Sequence, residues 1–163
     1  MYVANLDENY INSENALSSK LKDFADKKNV PIVNISAKIE EELSTIKDKR
    51  EKKYLMESLH IKFSGLEKFI SLGFGLLNLI TFFTSGEKET KAWTILKDTT
   101  APKAAGKIHS DIERGFISAE VIDYKSLLSM GGDKNAKISG KIRTEGKEYI
   151  IKDGDVILFR FNV

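Results

Sequence analysis

Residues 99–124 read Thr-Thr-Ala-Pro-Lys-Ala-Ala-Gly-Lys-Ile-His-Ser-Asp-Ile-Glu-Arg-Gly-Phe-Ile-Ser-Ala-Glu-Val-Ile-Asp-Tyr, and they decide the fold of the second half of the chain. Thr100 is placed to cap a helix, and Pro102 falls in its first turn, where a missing amide proton matters least. Gly115 then stops it. The pattern predicts a single helix over 100–114 with Ala104, Ala105, Ile108 and Ile112 on its apolar side, followed by an alternating strand over 117–121. Further strand patterns occupy 79–83, 91–96, 149–151 and 156–161. Lys152-Asp153-Gly154-Asp155 lies between the last two and predicts a hairpin turn. Hairpin, helix and further strands, in that order, describe a β-grasp (ubiquitin-like) fold.

The first half reads differently. A short strand over 1–5 precedes a helix capped by Asn12 or Ser13, with Leu17, Leu21, Phe24 and Ala25 sharing a face. A second strand covers 31–35, and strand, helix, strand implies a parallel pair from an α/β sheet. A charge-rich helix over 40–59 follows, with Leu43, Ile46, Leu55 and Leu59 as its sparse apolar positions. A last helix over 66–77 sets Leu66, Phe69, Ile70, Phe74 and Leu77 at helical spacing and connects to the second domain. The expected class is α+β, with domains at 1–77 and 78–163.

Composition narrows the chemistry. Cysteine is absent, which removes disulfides, thiolate catalysis and cysteine-built zinc sites. The 26 basic against 24 acidic residues leave a net charge of +2, so no polyanionic partner is demanded by the total, only by a local face. The longest apolar run, over 70–83, is broken by Gly73, Gly75, Asn78 and Thr81, so no membrane span is expected and the cytoplasm is the expected location. No Gly-x-x-x-x-Gly-Lys-Ser/Thr loop occurs: Gly106-Lys107 is followed by Ile108, Gly140-Lys141 by Ile142 and Gly146-Lys147 by Glu148. Triphosphate cradling by such a loop is therefore outside this sequence.

Two loops stand out. Asn5-Leu6-Asp7-Glu8 ends the first strand and Ser36-Ala37-Lys38 ends the second, so a parallel pair sets them side by side at one sheet edge, where α/β folds bind ligands. Taken alone, the first is more readily a turn and a helix cap. Lys103, Lys107, Ser110 and Arg114 share the polar side of the 100–114 helix. Lys137, Lys141, Arg143 and Lys147 outnumber Glu145 over 136–147, an excess suited to phosphates rather than bases. By spacing alone the helix stripe reads first as solvated surface. His60 and His109 lack neighbours at ligand spacing, and Trp93, Phe116, Phe159 and Phe161 read as core. Gly131-Gly132 is internal, which excludes a ubiquitin-like carrier tail.

The 99–124 stretch, with Asp153-Gly154-Asp155-Val156 running into Phe159-Arg160-Phe161-Asn162-Val163, resembles the carboxyl-terminal TGS domain of the YchF or Obg-like ATPase family of P-loop GTPases. Asn5-x-x-Glu8 is similar to that family's departure from the usual Asn-Lys-x-Asp. The resemblance implies that 78–163 is a TGS β-grasp domain and that 1–77 is the end of a P-loop nucleotide-binding domain. It implies base contacts from Asn5, Leu6, Glu8, Ser36 and Ala37, and RNA or ribosome contacts from Lys103, Lys107, Arg114, Lys137, Lys141, Arg143 and Lys147. An intact parent is expected to bind and hydrolyse ATP, with GTP as the alternative nucleotide and Mg2+ as cofactor. Neither nucleotide nor metal is expected on this chain alone, which holds no catalytic residue. Self-association is expected through the open sheet edge of 1–77. The competing expectation is a stand-alone, non-enzymatic TGS-type RNA or ribosome adaptor.

Overall fold

The computed structural model describes residues 1–13, 15–86 and 89–162, and in the short helix at 133–138 the side chains from Asn135 onward. It divides into two units, Met1–Phe74 and Gly75–Val163.

In the first unit, β1 (Tyr2–Asn5) pairs in parallel with β2 (Ile32–Ile35), Tyr2 opposite Ile32 and Asn5 opposite Ile35. The crossover is α1 (Ala16–Lys27). Its cap is Asn15, not the expected Asn12 or Ser13. The Asn15 carboxamide accepts from Leu17 and Ser18 amides, and the Ser18 hydroxyl accepts in return from the Asn15 amide at 2.9 Å, closing a capping box. The helix expected over 40–59 is two, α2 (Ala37–Thr45) and α3 (Lys49–Ser58). Ile46 leaves the helical region at ψ 112°, and the Asp48 carboxylate caps α3 through the Arg50 and Glu51 amides. Ile39 and Leu43 of α2 are buried. α4 (Gly65–Leu76) begins so close to β2 that a Cβ on Gly65 would fall 2.7 Å from the Ile35 side chain.

The second unit is a five-stranded mixed sheet built from β3 (Leu79–Ser85), β4 (Thr90–Leu96), β5 (Phe116–Asp123), β6 (Arg143–Glu145) and β7 (Asp155–Phe161), in the order β4-β3-β7-β5-β6. The last strand lies at the centre, parallel to β3 and antiparallel to β5. One face is covered by α5 (Ala101–Ile108), whose Ala101, Ala104 and Ala105 are fully buried. These small side chains let the helix lie close on Phe82, Ile157 and Phe159, with the Phe82 and Phe159 rings edge to face at 6.0 Å. Ile108 and Ile112 pack at the margin, as their spacing predicts. The other face carries a smaller cluster of Ile122, Ala136 and Val156 beneath α7 (Tyr124–Ser129) and α8 (Asp133–Ile138), two helices not foreseen from sequence.

Three expectations fail here for local reasons. The 100–114 helix breaks at His109, which is extended at φ −160°, and α6 (Ser110–Arg114) starts afresh with the His109 ring accepting from the Asp111 amide. No hairpin joins 149–151 to β7. The Tyr149 carbonyl accepts from Ala101 and the Ile151 amide donates to Thr99, so this segment pairs with the entry to α5, while both edges of β7 are taken by β3 and β5. Phe161 is 45 % exposed rather than core, whereas Phe116 and Phe159 are buried and Trp93 packs partly against them.

Candidate functional site

The first candidate lies at the carboxyl ends of β1 and β2. The Leu6 amide donates to the Ile35 carbonyl at 2.8 Å, carrying the ladder one step past the strands and bringing both loops together. Asn5 then reaches across: its Oδ1 accepts from the Ala37 amide at 3.0 Å, at the first turn of α2. Ala37, to which the resemblance assigns a base contact, thus has its amide held by Asn5. Glu8 is engaged as well, with the Lys38 ammonium 2.9 Å from Oε1 and 2.8 Å from Oε2. The hydrogen bond from Glu8, and next its charge, hold Lys38 above the ordinary lysine range. Asp7 caps the 3-10 turn at Glu8–Tyr10. Leu6 is buried, and so is Ser36, whose hydroxyl lacks a hydrogen-bond partner. Asn5, Glu8, Ser36 and Ala37 are therefore brought together, with Leu6 buried beside them in sequence and Lys38 as a member that the sequence reading quoted without a role.

The second candidate is in the five-stranded unit. The seven basic residues are spread over α5, α6, α8, β6 and the loops flanking β6. Lys103 and Lys107 are exposed on α5, but the break at His109 separates them from Arg114, which is paired with Asp111 at 2.6 Å. Lys137 and Lys147 are exposed on α8 and on the loop after β6. Lys141 and Arg143, in contrast, line a hollow of about 390 Å3 together with Lys152, which sequence reasoning missed.

A buried carboxylate organises this hollow. Asp155 is 3 % exposed, and its Oδ2 accepts from the Tyr149 hydroxyl at 2.8 Å and from the Lys152 amide at 2.9 Å. The phenol has one proton, which it gives to Asp155, so its oxygen is left to accept from the Arg143 guanidinium at 3.2 Å. Burial first, and then the Asp155 hydrogen bond and charge, push the Tyr149 phenol up to about 12. Asp155 thereby fixes the Lys152 backbone directly and Arg143 through Tyr149. The signal available in sequence was Asp153-Gly154-Asp155, read as turn chemistry and as part of the family resemblance.

Among the described residues no group of three or more potential ligands is placed to hold a metal, and no helix is long and apolar enough to cross a membrane. A hollow of about 590 Å3 lies in the first unit, lined by residues such as Ile11, Val33, Phe63 and Leu72, and contains none of the predicted site residues.

The geometry describes a chain of two parts, one with paired loops at the end of a parallel sheet and one with a hollow lined by three cations and three carboxylates. Comparison with known proteins gives the family. The model YchF-GTPase_C, described as a protein of unknown function (DUF933), matches residues 79–162, and the chain belongs to the YchF family. The Ribosome-binding ATPase YchF of Bacillus subtilis is 47% identical over 165 residues, taking in 100% of this chain and 45% of that protein. The Haemophilus influenzae protein of the same name is 45% identical over 163 residues, covering 100% of this chain and 44% of its own length. The YchF GTPase structure from Schizosaccharomyces pombe superposes with a TM-score of 0.82 at 34% identity, over 98% of this chain and 43% of that one. A GTP binding protein from Pyrococcus horikoshii shares the fold, with a TM-score of 0.65 at 18% identity. The chain spans less than half the length of these relatives.

Proposed function

We propose that this chain is the carboxyl-terminal portion of a ribosome-binding ATPase of the YchF type, and that within it the second unit is a TGS-type β-grasp module that binds ribosomal RNA. The observation that carries this reading is the whole-chain similarity, at 42–47% identity, to proteins named ribosome-binding ATPases. The β4-β3-β7-β5-β6 order, with the last strand central and parallel to the first, supports the β-grasp assignment. Lys103, Lys107, Lys137, Lys141, Arg143 and Lys147 are the candidate cations for the phosphate backbone, with Arg114 partly neutralised by Asp111.

The first unit supplies one wall of a base pocket. Asn5 orients the Ala37 loop through Oδ1 and keeps its Nδ2 protons for a ligand acceptor, while Glu8 can accept from a base amine once Lys38 moves aside. The buried Ser36 hydroxyl, with no partner, is a group the loop can turn toward a ligand. These residues fit a base edge; ATP or GTP and its Mg2+ need the phosphate loop that this sequence lacks. When bound in the intact parent, the nucleotide and metal supply the hydrolytic chemistry, and the residues here orient the base. The two-stranded sheet leaves its outer edges unpaired among the described residues, which supports self-association of the isolated chain.

Pelleting with purified ribosomes across a salt series tests this reading. The chain is expected to sediment with ribosomes at low salt without added nucleotide and to be released steeply as salt rises. Absence from the pellet at every salt concentration overturns it.

A further inference from the structure

We propose that phosphate groups of RNA are read at the Lys141–Arg143–Lys152 hollow, with Lys152 as a new contact residue, and that the α5 face carrying Lys103 and Lys107 takes no part. This rests on the reading above that the second unit binds RNA, and it names where.

The charge balance of the hollow separates committed groups from available ones. Its walls include three carboxylates, and each already accepts a backbone amide: Asp123 from Ser126 at 3.0 Å, Asp153 from Thr81 at 2.8 Å, and Asp155 from Lys152 at 2.9 Å. They act as helix-cap and turn ligands. The ammonium groups of Lys141 and Lys152 have no acidic partner among the described residues, and both residues are exposed. Arg143 is only partly engaged, with Glu145 at 3.6 Å and its side chain 48% exposed. Asp123 and Asp153 are exposed as the lysines are, so the hollow is balanced in formal charge, and its two lysines are set apart by having no acidic partner among the described residues.

Pre-organisation is the second argument. A solvated lysine stripe loses rotamer freedom on meeting a ligand. Here Arg143 is already positioned by Tyr149, and the chain bearing Lys152 is already held by Asp155, so part of that ordering is complete before binding. The α5 face offers no such device. Lys103 and Lys107 line none of the described hollows, and Arg114 is turned to Asp111. Lys137 and Lys147 extend the positive run to either side of the hollow in sequence, which suits an extended chain with regularly spaced charges.

The experiment is fluorescence anisotropy of a labelled single-stranded RNA oligonucleotide titrated with the whole chain at several salt concentrations. Compared are wild type, Lys141→Ala/Lys152→Ala and Lys103→Ala/Lys107→Ala, with poly-glutamate as competitor. Losing two phosphate contacts lowers the salt slope by about 1.4, which corresponds to about 25-fold weaker binding at 0.1 M salt. That loss is expected for the Lys141/Lys152 variant and not for the Lys103/Lys107 variant, with circular dichroism unchanged in both. Tyr149→Phe, which keeps every charge, is expected to weaken binding with an unchanged salt slope. If wild type binds RNA but the Lys141/Lys152 variant matches it, this inference falls and the reading of an RNA-binding unit survives. If wild type binds no RNA, both fall. Displacement by poly-glutamate as effective as by unlabelled RNA would identify an acidic-protein site and overturn the assignment to RNA.

Discussion

Replacing Tyr149 by phenylalanine isolates the contribution of the buried Asp155 network. The ring is retained, so no cavity opens, and only the hydroxyl is lost. Asp155 then keeps the Lys152 amide at 2.9 Å but loses its 2.8 Å hydroxyl donor while remaining 3 % exposed. A hydrogen bond to a buried charged group is worth about 1.5–3 kcal/mol, so the second unit should be destabilised by about 2 kcal/mol. The chain's single tryptophan, Trp93, lies in this unit, with its indole donating to Thr84 at 3.0 Å, and its fluorescence reports urea unfolding of this unit alone. The pH dependence has a definite sign. The folded Tyr149 phenol titrates at about 12, above its unfolded value of 10.0, so its contribution is complete below pH 10 and declines as pH rises through 12. At pH 11 the linkage amounts to about 1.4 kcal/mol, halved to about 0.7 kcal/mol because the phenol is partly open to solvent. The gap between wild type and variant should therefore narrow between pH 9 and pH 11. A difference below about 0.5 kcal/mol at pH 8, or a gap that widens with pH, would refute the reasoning.

Gly115→Ala would drive a Cβ into the Asn162 backbone carbonyl, and Gly154→Ala would place one 2.7 Å from the Tyr124 ring at φ +86°. Each should lower the stability of the second unit by more than about 1 kcal/mol in the same Trp93 assay. Asn5→Ala removes the side chain that holds the Ala37 amide and should cost the first unit about 1 kcal/mol, seen in the far-ultraviolet circular dichroism melt and not in Trp93 fluorescence. The purified chain should release no phosphate from ATP or GTP above a buffer control. Turnover abolished by changing one of its own residues would show a phosphate site that the sequence reading missed.

The sequence carried the parts of the fold that depend on local pattern. The parallel β1 and β2 pair follows from two short apolar runs around one amphipathic helix, and α5 from Thr100, Pro102 and its alanines. The break at His109 was hidden because a histidine ring acts as the cap, a role that Ser, Thr, Asp and Asn usually fill. Asp48-Lys49-Arg50-Glu51 was a readable start signal inside the 40–59 pattern, but the flanking charges resembled one long solvated helix. The turn before β7 misled for a nonlocal reason: Asp153 and Gly154 bond the Thr81 backbone, and Asp155 is a buried carboxylate whose hydroxyl donor, Tyr149, in turn accepts from Arg143. For the same reason Lys141 and Arg143 were legible as a basic run, whereas Lys152 and the Tyr149–Asp155 support were not. The loops bearing Asn5 and Ala37 were expected side by side at one sheet edge, but the direct hydrogen bond between these residues is a tertiary contact that spacing does not reveal.

Hydrogen–deuterium exchange of the whole chain, with and without ribosomes, tests the central claim most directly. Slowed exchange is expected over 141–155, which contains β6 and the turn held by Asp155, with the amides of 1–74 unchanged. Protection confined to 1–74, or to the 101–114 helices, would contradict it.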